Sequence, residues 1–266
     1  MSRLYGALAA ATLLLCRPSR AFHTGARGAR WPLSSALAGS KQEVLALDFD
    51  GVLCASSTES SVSALIAAEK HWPAVVSFRR GSSAGGLDEF SVVSESLQTL
   101  RPIIETGYEN MLLARHLLLS LRRDKLVDTD DILNNWGAAY IGRLLTEYGA
   151  SKDELITAFG RNRDDMIRED LAGWVALNPV FPHVKPAMAG KNIDYTIVTT
   201  KQRRFVDLIL SSSGIAPPPQ DKLFDLDSPF GPKSAVLAEI VRRGADTAGG
   251  APLIHFVEGS SATYLL

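Results

Sequence analysis

The fold class predicted by the sequence is a parallel α/β sheet with a block of helices inserted after its first strand. Three observations predict it. A short apolar run, Glu43 to Leu47, ends in Asp-Phe-Asp-Gly, the pattern of a buried strand followed by a tight loop. From about Ser60 to Asn178 the apolar residues recur at helical spacing, with little that could form a strand. Beyond Asp194, strand-like and helix-like segments alternate, which implies parallel strands joined by right-handed crossovers.

The helical block is expected to contain helices over Ser94 to Arg101 and over Pro102 to Leu121. In the second, Ile103, Met111, Ala114, Leu118 and Leu121 share a helical period, and Pro102 suits a first-turn position. Thr129, Asp130 and Asp131 can cap a helix from Ile132 to Tyr148 that Gly149 closes. Ser151-Lys-Asp-Glu154 is a capping-box signature for a helix running toward Trp174. Trp72, Trp136 and Trp174 belong to the core of this block. Strand character returns at Asp194 to Thr199. A helix over Arg203 to Ser211 ends at Gly214, and Leu223 to Leu226 forms a short strand. A helix over Ser234 to Arg243 and a strand over Leu253 to Val257 complete the pattern. Residues 41–56 and 180–266 then make the sheet domain, and residues 57–179 the helical one.

The chain has 266 residues, 46% of them hydrophobic, enough for one α/β domain with an insertion or two small domains. Its first 40 residues hold five arginines (Arg3, Arg17, Arg20, Arg27, Arg30) and no acid. That leaves 23 basic against 29 acidic side chains in residues 41–266, a net charge of −6. So acidic a body argues against sequence-independent nucleic-acid binding, which needs cations against phosphates. Cys16 and Cys54 are the only cysteines, which excludes a disulfide framework or a cysteine-based zinc site. His71, His116, His183 and His255 lack metal-ligand spacing.

The N-terminus has the composition of a targeting presequence. The apolar stretch Leu4 to Cys16, flanked by Arg3 and Arg17, falls short of the about 20 residues that span a bilayer and suits a signal-peptide core. The acid-free, Arg/Ser/Ala/Gly-rich stretch from Ala21 to Ser40 follows it as a transit peptide would. The Ala21-Phe22 junction resembles that of bipartite plastid presequences in algae with secondary plastids. Plastid import is therefore expected, with mitochondrial import, secretion or an ordinary disordered tail as alternatives. No membrane span is expected in the mature protein.

The chemistry concentrates at Val44-Leu-Ala-Leu-Asp48-Phe-Asp50-Gly51-Val-Leu53. An apolar strand here delivers two carboxylates at its carboxyl end, where open α/β sheets place their ligands. One can attack phosphorus while the other handles the leaving-group proton. Gly51 permits a sharp turn that brings backbone amides toward a phosphate. The competing reading is an ordinary acidic strand-to-turn junction.

This segment resembles motif I of the haloacid dehalogenase-like hydrolase superfamily, whose core is Rossmann-like. The resemblance implies that Asp48 is the nucleophile and Asp50 the general acid/base, and a second Asp at that place points to phosphoryl transfer. Tyr195-Thr-Ile-Val-Thr199-Thr200-Lys201 resembles motif II, which makes the Thr199 hydroxyl and the Thr200 amide the phosphate binders. Gly231-Pro-Lys233 resembles motif III, whose lysine holds nucleophile and phosphate together. Ile254-His-Phe-Val-Glu258-Gly259 stands at the place of motif IV. By that match Mg²⁺ is held by Asp48, Asp50 and Glu258, with Gly259 standing where the usual metal-binding Asp would be.

The helical insertion corresponds in position to the superfamily's cap, which selects the substrate. Arg101-Pro-Ile-Ile-Glu105-Thr-Gly-Tyr108-Glu109-Asn110 and Phe159-Gly-Arg161-Asn-Arg163-Asp164-Asp165 resemble cap segments of poorly characterised plant and cyanobacterial members. Arg101, Glu105 and Tyr108 share one face at i, i+4, i+7 spacing, and either contact substrate or form an exposed salt-bridged face. Arg161 and Arg163 either steer a phosphorylated ligand or are solvated. The resulting expectation is a magnesium-dependent phosphatase acting on a small phosphorylated metabolite through an aspartyl-phosphate. The alternatives are a phosphomutase, or a relative that has lost its metal site and keeps a binding role.

Overall fold

The computed structural model describes residues 43–81, 87–124, 129–189, 195–248 and 252–259. The presequence expected over residues 1–40 and most of the Gly81-to-Gly86 turn region lie outside them. Strand β1 (Glu43–Leu47) alternates buried and partly exposed positions, with Val44 and Ala46 inward. Its neighbours β2 (Tyr195–Val198), β3 (Leu223–Phe224) and β4 (Leu253–Val257) complete a four-stranded sheet in the order β3-β2-β1-β4. Every pairing is parallel, with Leu47 opposite Ile197 and opposite Val257. The expected α/β class is therefore present. β4 lies at one end of this order, and its Leu253 and Val257 stay partly in water.

Among the described residues, the elements between β1 and β2 are helices, apart from isolated bridges at Asp50, Cys54 and Val180. Helix α1 (Ser57–His71) is followed by α2 (Glu89–Thr99), where the Asp88 side chain accepts from the Ser91 N–H and caps the helix several residues earlier than expected. The long helix expected over Pro102 to Leu121 is present but starts five residues later. Residues Arg101–Ile103 form a single 3-10 turn, Ile104 is extended, and α3 begins at Gly107 (Gly107–Asp124). The Glu109 carboxylate accepts from the Thr106 N–H at 2.8 Å, satisfying a donor at the start of α3 and fixing the break. A second break replaces the helix expected over Ile132 to Tyr148, giving α4 (Thr129–Asn135) and α5 (Ala138–Tyr148). Gly149 closes α5 in the left-handed conformation, as expected. Ser151 and Glu154 form the capping box of α6 (Lys152–Glu169), and Asp170 starts α7 (Leu171–Ala176).

Helix α3 is central. Met111, Leu112, Leu113, Leu117 and Leu118 are all fully buried, and a helix that is apolar around so much of its girth must be wrapped by others. After the short α8 (Val184–Met188) and β2 come α9 (Arg203–Ser212), then β3 and α10 (Lys233–Ala248). Val236, Leu237 and Ile240 of α10 pack on Val44, Ala46 and Val198. Ile197 instead joins Phe205, Val206 and Ile209 of α9 and the helical block in one larger core. The sheet is thus covered on both faces, as a parallel sheet requires.

Candidate active site

The carboxyl ends of β1, β2 and β4 come together because the three strands are parallel neighbours. At the tip of β1 the Asp48 N–H donates to the Val257 carbonyl at 2.9 Å, carrying the β1–β4 pairing one step past the strand. Its carboxylate is buried: Oδ1 accepts from the Phe49 N–H at 2.7 Å and Oδ2 from Lys233 Nζ at 2.8 Å. Lys233, the first residue of α10, also donates to Glu258 Oε1 at 2.8 Å. One ammonium therefore joins carboxylates from the tips of β1 and β4. Burial works against that ammonium, but Asp48 and Glu258 outweigh it and raise its pKa. Glu258 Oε2 is buried without a partner among the described residues.

Asp50 faces another way. Oδ1 accepts from the Ser56 hydroxyl at 2.6 Å and lies 3.3 Å from Lys201 Nζ, while Oδ2 lies 3.4 Å from an Arg101 nitrogen. Burial alone would raise its pKa, yet the Lys201 and Arg101 charges and the Ser56 hydrogen bond bring it down to about 2. Gly51 has φ +81°, a conformation that favours glycine, and its N–H is used by the Cys54 carbonyl at 2.8 Å. Cys54 is a packed side chain whose thiol pKa burial pushes up to about 12.

On β2, the register Leu47↔Ile197 sets Thr199 beside the β1 tip. Thr199 is buried, and its hydroxyl accepts from the Lys201 N–H at 3.1 Å. The Thr200 hydroxyl donates to the Glu105 carbonyl at 2.6 Å, tying the loop after β2 to the helical block. Lys201, which the sequence reading passed over, has a fully buried side chain between Asp50 and Glu59, 3.6 Å from the latter. Glu59 was also passed over. It is buried on α1, accepts from both Arg163 Nε and Nη2 at 2.8 and 2.7 Å, and takes further hydrogen bonds from Ser63 and Trp174. Lys201 could have been noticed from its place two residues after Thr199. Nothing local distinguishes Glu59 from its serine-rich neighbours.

The five residues expected on the helical block separate. Arg101 reaches Asp50, its other terminal nitrogen donating to the Ile104 carbonyl at 2.9 Å. The shared face of Arg101, Glu105 and Tyr108 does not exist, because the chain is extended at Ile104 between the 3-10 turn and α3. Glu105 is exposed and meets the site loop through its backbone. Tyr108 is buried beside a narrow cleft also lined by Thr106, Phe159 and Thr200. Arg161 is exposed on α6, in a shallow depression with His71 and Asp153. Arg163 is an interior ion-pair partner of Glu59, and it also lines the narrow cleft beside Tyr108.

The donors at the strand tip do not fit a magnesium site. Among the described residues no three His, Cys, Asp or Glu side chains gather as a metal-holding group. Asp48 and Glu258, the pair that could share a cation, already share Lys233. A Cβ on Gly259 would overlap the Asp50 carbonyl oxygen and come within 2.9 Å of Gly51 Cα, so an acidic side chain at 259 has no room.

No protein-family model and no curated protein matches the sequence. Solved structures do show likeness. One is a predicted phosphatase from Clostridium acetobutylicum, 14% identical over 77% of this chain and 71% of that one, with a TM-score of 0.41. Another is a predicted phosphoglycolate phosphatase from Haemophilus somnus, 14% identical over 82% and 76%, with a TM-score of 0.43. A third is a haloacid dehalogenase-like hydrolase from Bacteroides fragilis, 16% identical over 84% and 90%, with a TM-score of 0.43.

Proposed function

We propose that this chain is a haloacid dehalogenase-like phosphotransfer enzyme, a phosphatase acting on a small phosphorylated metabolite with Asp48 as nucleophile. The observation that carries this reading is Lys233 Nζ, 2.8 Å from Asp48 Oδ2. The two groups lie far apart in sequence, in segments that separately resemble motifs I and III. A strand-tip carboxylate held by an ammonium is positioned for attack, with positive charge at hand as negative charge builds.

In this mechanism an Asp48 oxygen attacks phosphorus in line, the P–O bond to the leaving alcohol breaks, and an aspartyl-phosphate forms. Thr199 binds a phosphoryl oxygen by its hydroxyl, the Thr200 amide another, and Lys233 balances charge. Water then attacks the aspartyl-phosphate, giving its proton to Asp50, and phosphate departs with Asp48 restored. Asp50 is held ionised by Lys201 and Arg101, which leaves it able to accept a proton but makes it a weak base until those contacts loosen. The proton that Asp50 takes from the attacking water is the one it delivers to the leaving oxygen of the next turnover, so the two half-reactions balance. No step is assigned to magnesium. The same groups would serve a phosphomutase.

Residues 57–179 act in this reading as a cap over the domain formed by 41–56 and 180–266. Arg101 at Asp50 and Thr200 at Glu105 are the contacts that support it. Among the described residues no helix is long and apolar enough to cross a membrane. The composition of residues 1–40 supports delivery to a plastid.

Hydrolysis of an aryl phosphate, followed with magnesium and with EDTA, tests the reading. Turnover that Asp48→Asn abolishes is expected. A well-folded protein without turnover in either condition would favour a second reading, a binding protein on the same fold, to which Gly259 already points.

A further inference from the structure

We infer that the Lys233 ammonium takes the place of a divalent cation at the strand tip, so that the site balances its charge from within the chain and does not take up magnesium. The inference starts from the phosphotransfer reading, which is what makes a divalent cation the expectation here.

The first support is geometric. Lys233 Nζ lies 2.8 Å from Asp48 Oδ2 and 2.8 Å from Glu258 Oε1, the two carboxylates that a shared cation would need. Each contact is a charge-assisted hydrogen bond, and a cation placed between the same two oxygens would have to break both. The second is steric. Gly259 and Gly51 pack backbone to backbone, and a Cβ on Gly51 would come within 3.1 Å of Gly259 Cα. With a side chain at 259 also excluded, a third carboxylate cannot be supplied from that turn.

The third support is the count of charges. Asp50, the remaining acid, is engaged by Ser56, Lys201 and Arg101. Asp48, Asp50 and Glu258 thus stand against Lys233, Lys201 and Arg101, while Glu59 and Arg163 cancel each other. The cluster is neutral without an added ion. Magnesium keeps its waters reluctantly exchanged and binds through one or two free carboxylates with near-octahedral oxygen geometry. Here each strand-tip carboxylate has one oxygen on Lys233, and Glu258 Oε2 alone of their oxygens lacks a partner among the described residues.

The test is isothermal titration of magnesium into the purified full chain and into Lys233→Met, with folding of both checked by circular dichroism. For the unaltered chain no saturable binding is expected up to about 10 mM. Lys233→Met leaves Asp48 and Glu258 facing each other without a counter-charge, so saturable binding at least about tenfold tighter is expected. One-to-one saturable binding by the unaltered chain would overturn the inference. So would a folded Lys233→Met that binds no tighter than the original. Neither measurement needs turnover, so absence of phosphatase activity would defeat the proposed function while leaving this inference standing.

Discussion

The hydroxyl of Thr200 donates to the main-chain carbonyl of Glu105 at 2.6 Å, joining the loop after β2 to the break between the 3-10 turn and α3. Thr200→Val keeps the shape and removes the donor. It is expected to lower stability by about 1 kcal/mol, the ordinary net worth of such a bond. Urea unfolding with an unchanged slope is the measurement, and a midpoint equal to that of the parent would show that the tie is incidental.

Glu59 and Arg163 make a stronger link, bidentate and almost wholly shielded from water. Removing one partner of such a pair costs roughly 3–5 kcal/mol because the other charge is left buried. Arg163→Met should approach the lower end, since Lys201 lies 3.6 Å from Glu59 and compensates in part. Chemical denaturation of Arg163→Met beside Glu59→Gln/Arg163→Met would show the double variant recovering part of the loss.

Acid titration isolates Asp50. Its folded carboxyl is depressed from 3.8 to about 2, with burial opposing and Lys201, Arg101 and Ser56 prevailing. A depressed carboxyl contributes stability above its unfolded pKa and loses it as pH falls through the folded one. About 2 kcal/mol should therefore disappear between pH 4 and pH 2. Unfolding free energies measured across that interval should fall more steeply for the parent than for Asp50→Asn, and equal slopes would contradict the assignment.

Gly51→Ala probes the turn. With φ at +81°, a side chain there costs about 1–2 kcal/mol in backbone strain alone. The close approach of Gly259 adds to it. A lowered melting temperature is expected, and an unchanged one would mean that the turn relaxes freely.

The strand tip was legible because its signals are local: an apolar run, two acids and a glycine in ten consecutive residues. Lys233 and Glu258 were legible only through their order relative to that tip. Glu59, Lys201 and Arg163 were not, because their partners are set by how α1, α6 and the loop after β2 pack, and nothing in a serine-rich helix marks Glu59, rather than Glu69, as its interior acid. The break before α3 was missed because Ile103, Met111 and Ala114 keep a helical period across it. The Thr106-to-Glu109 spacing carried the opposing signal, that of a helix start.

Pairing of β1 with β4 joins Glu43 to Leu253, the first and nearly the last of the described residues. The helical block is itself tied over a long separation by Glu59 and Arg163, and the Asp48–Lys233–Glu258 constellation exists only once β4 docks. Parallel pairing over so long a separation is slow to nucleate. A chain in which β4 is undocked would thus lack Glu258 at the β1 tip, so that assembly of the reactive centre depends on that pairing.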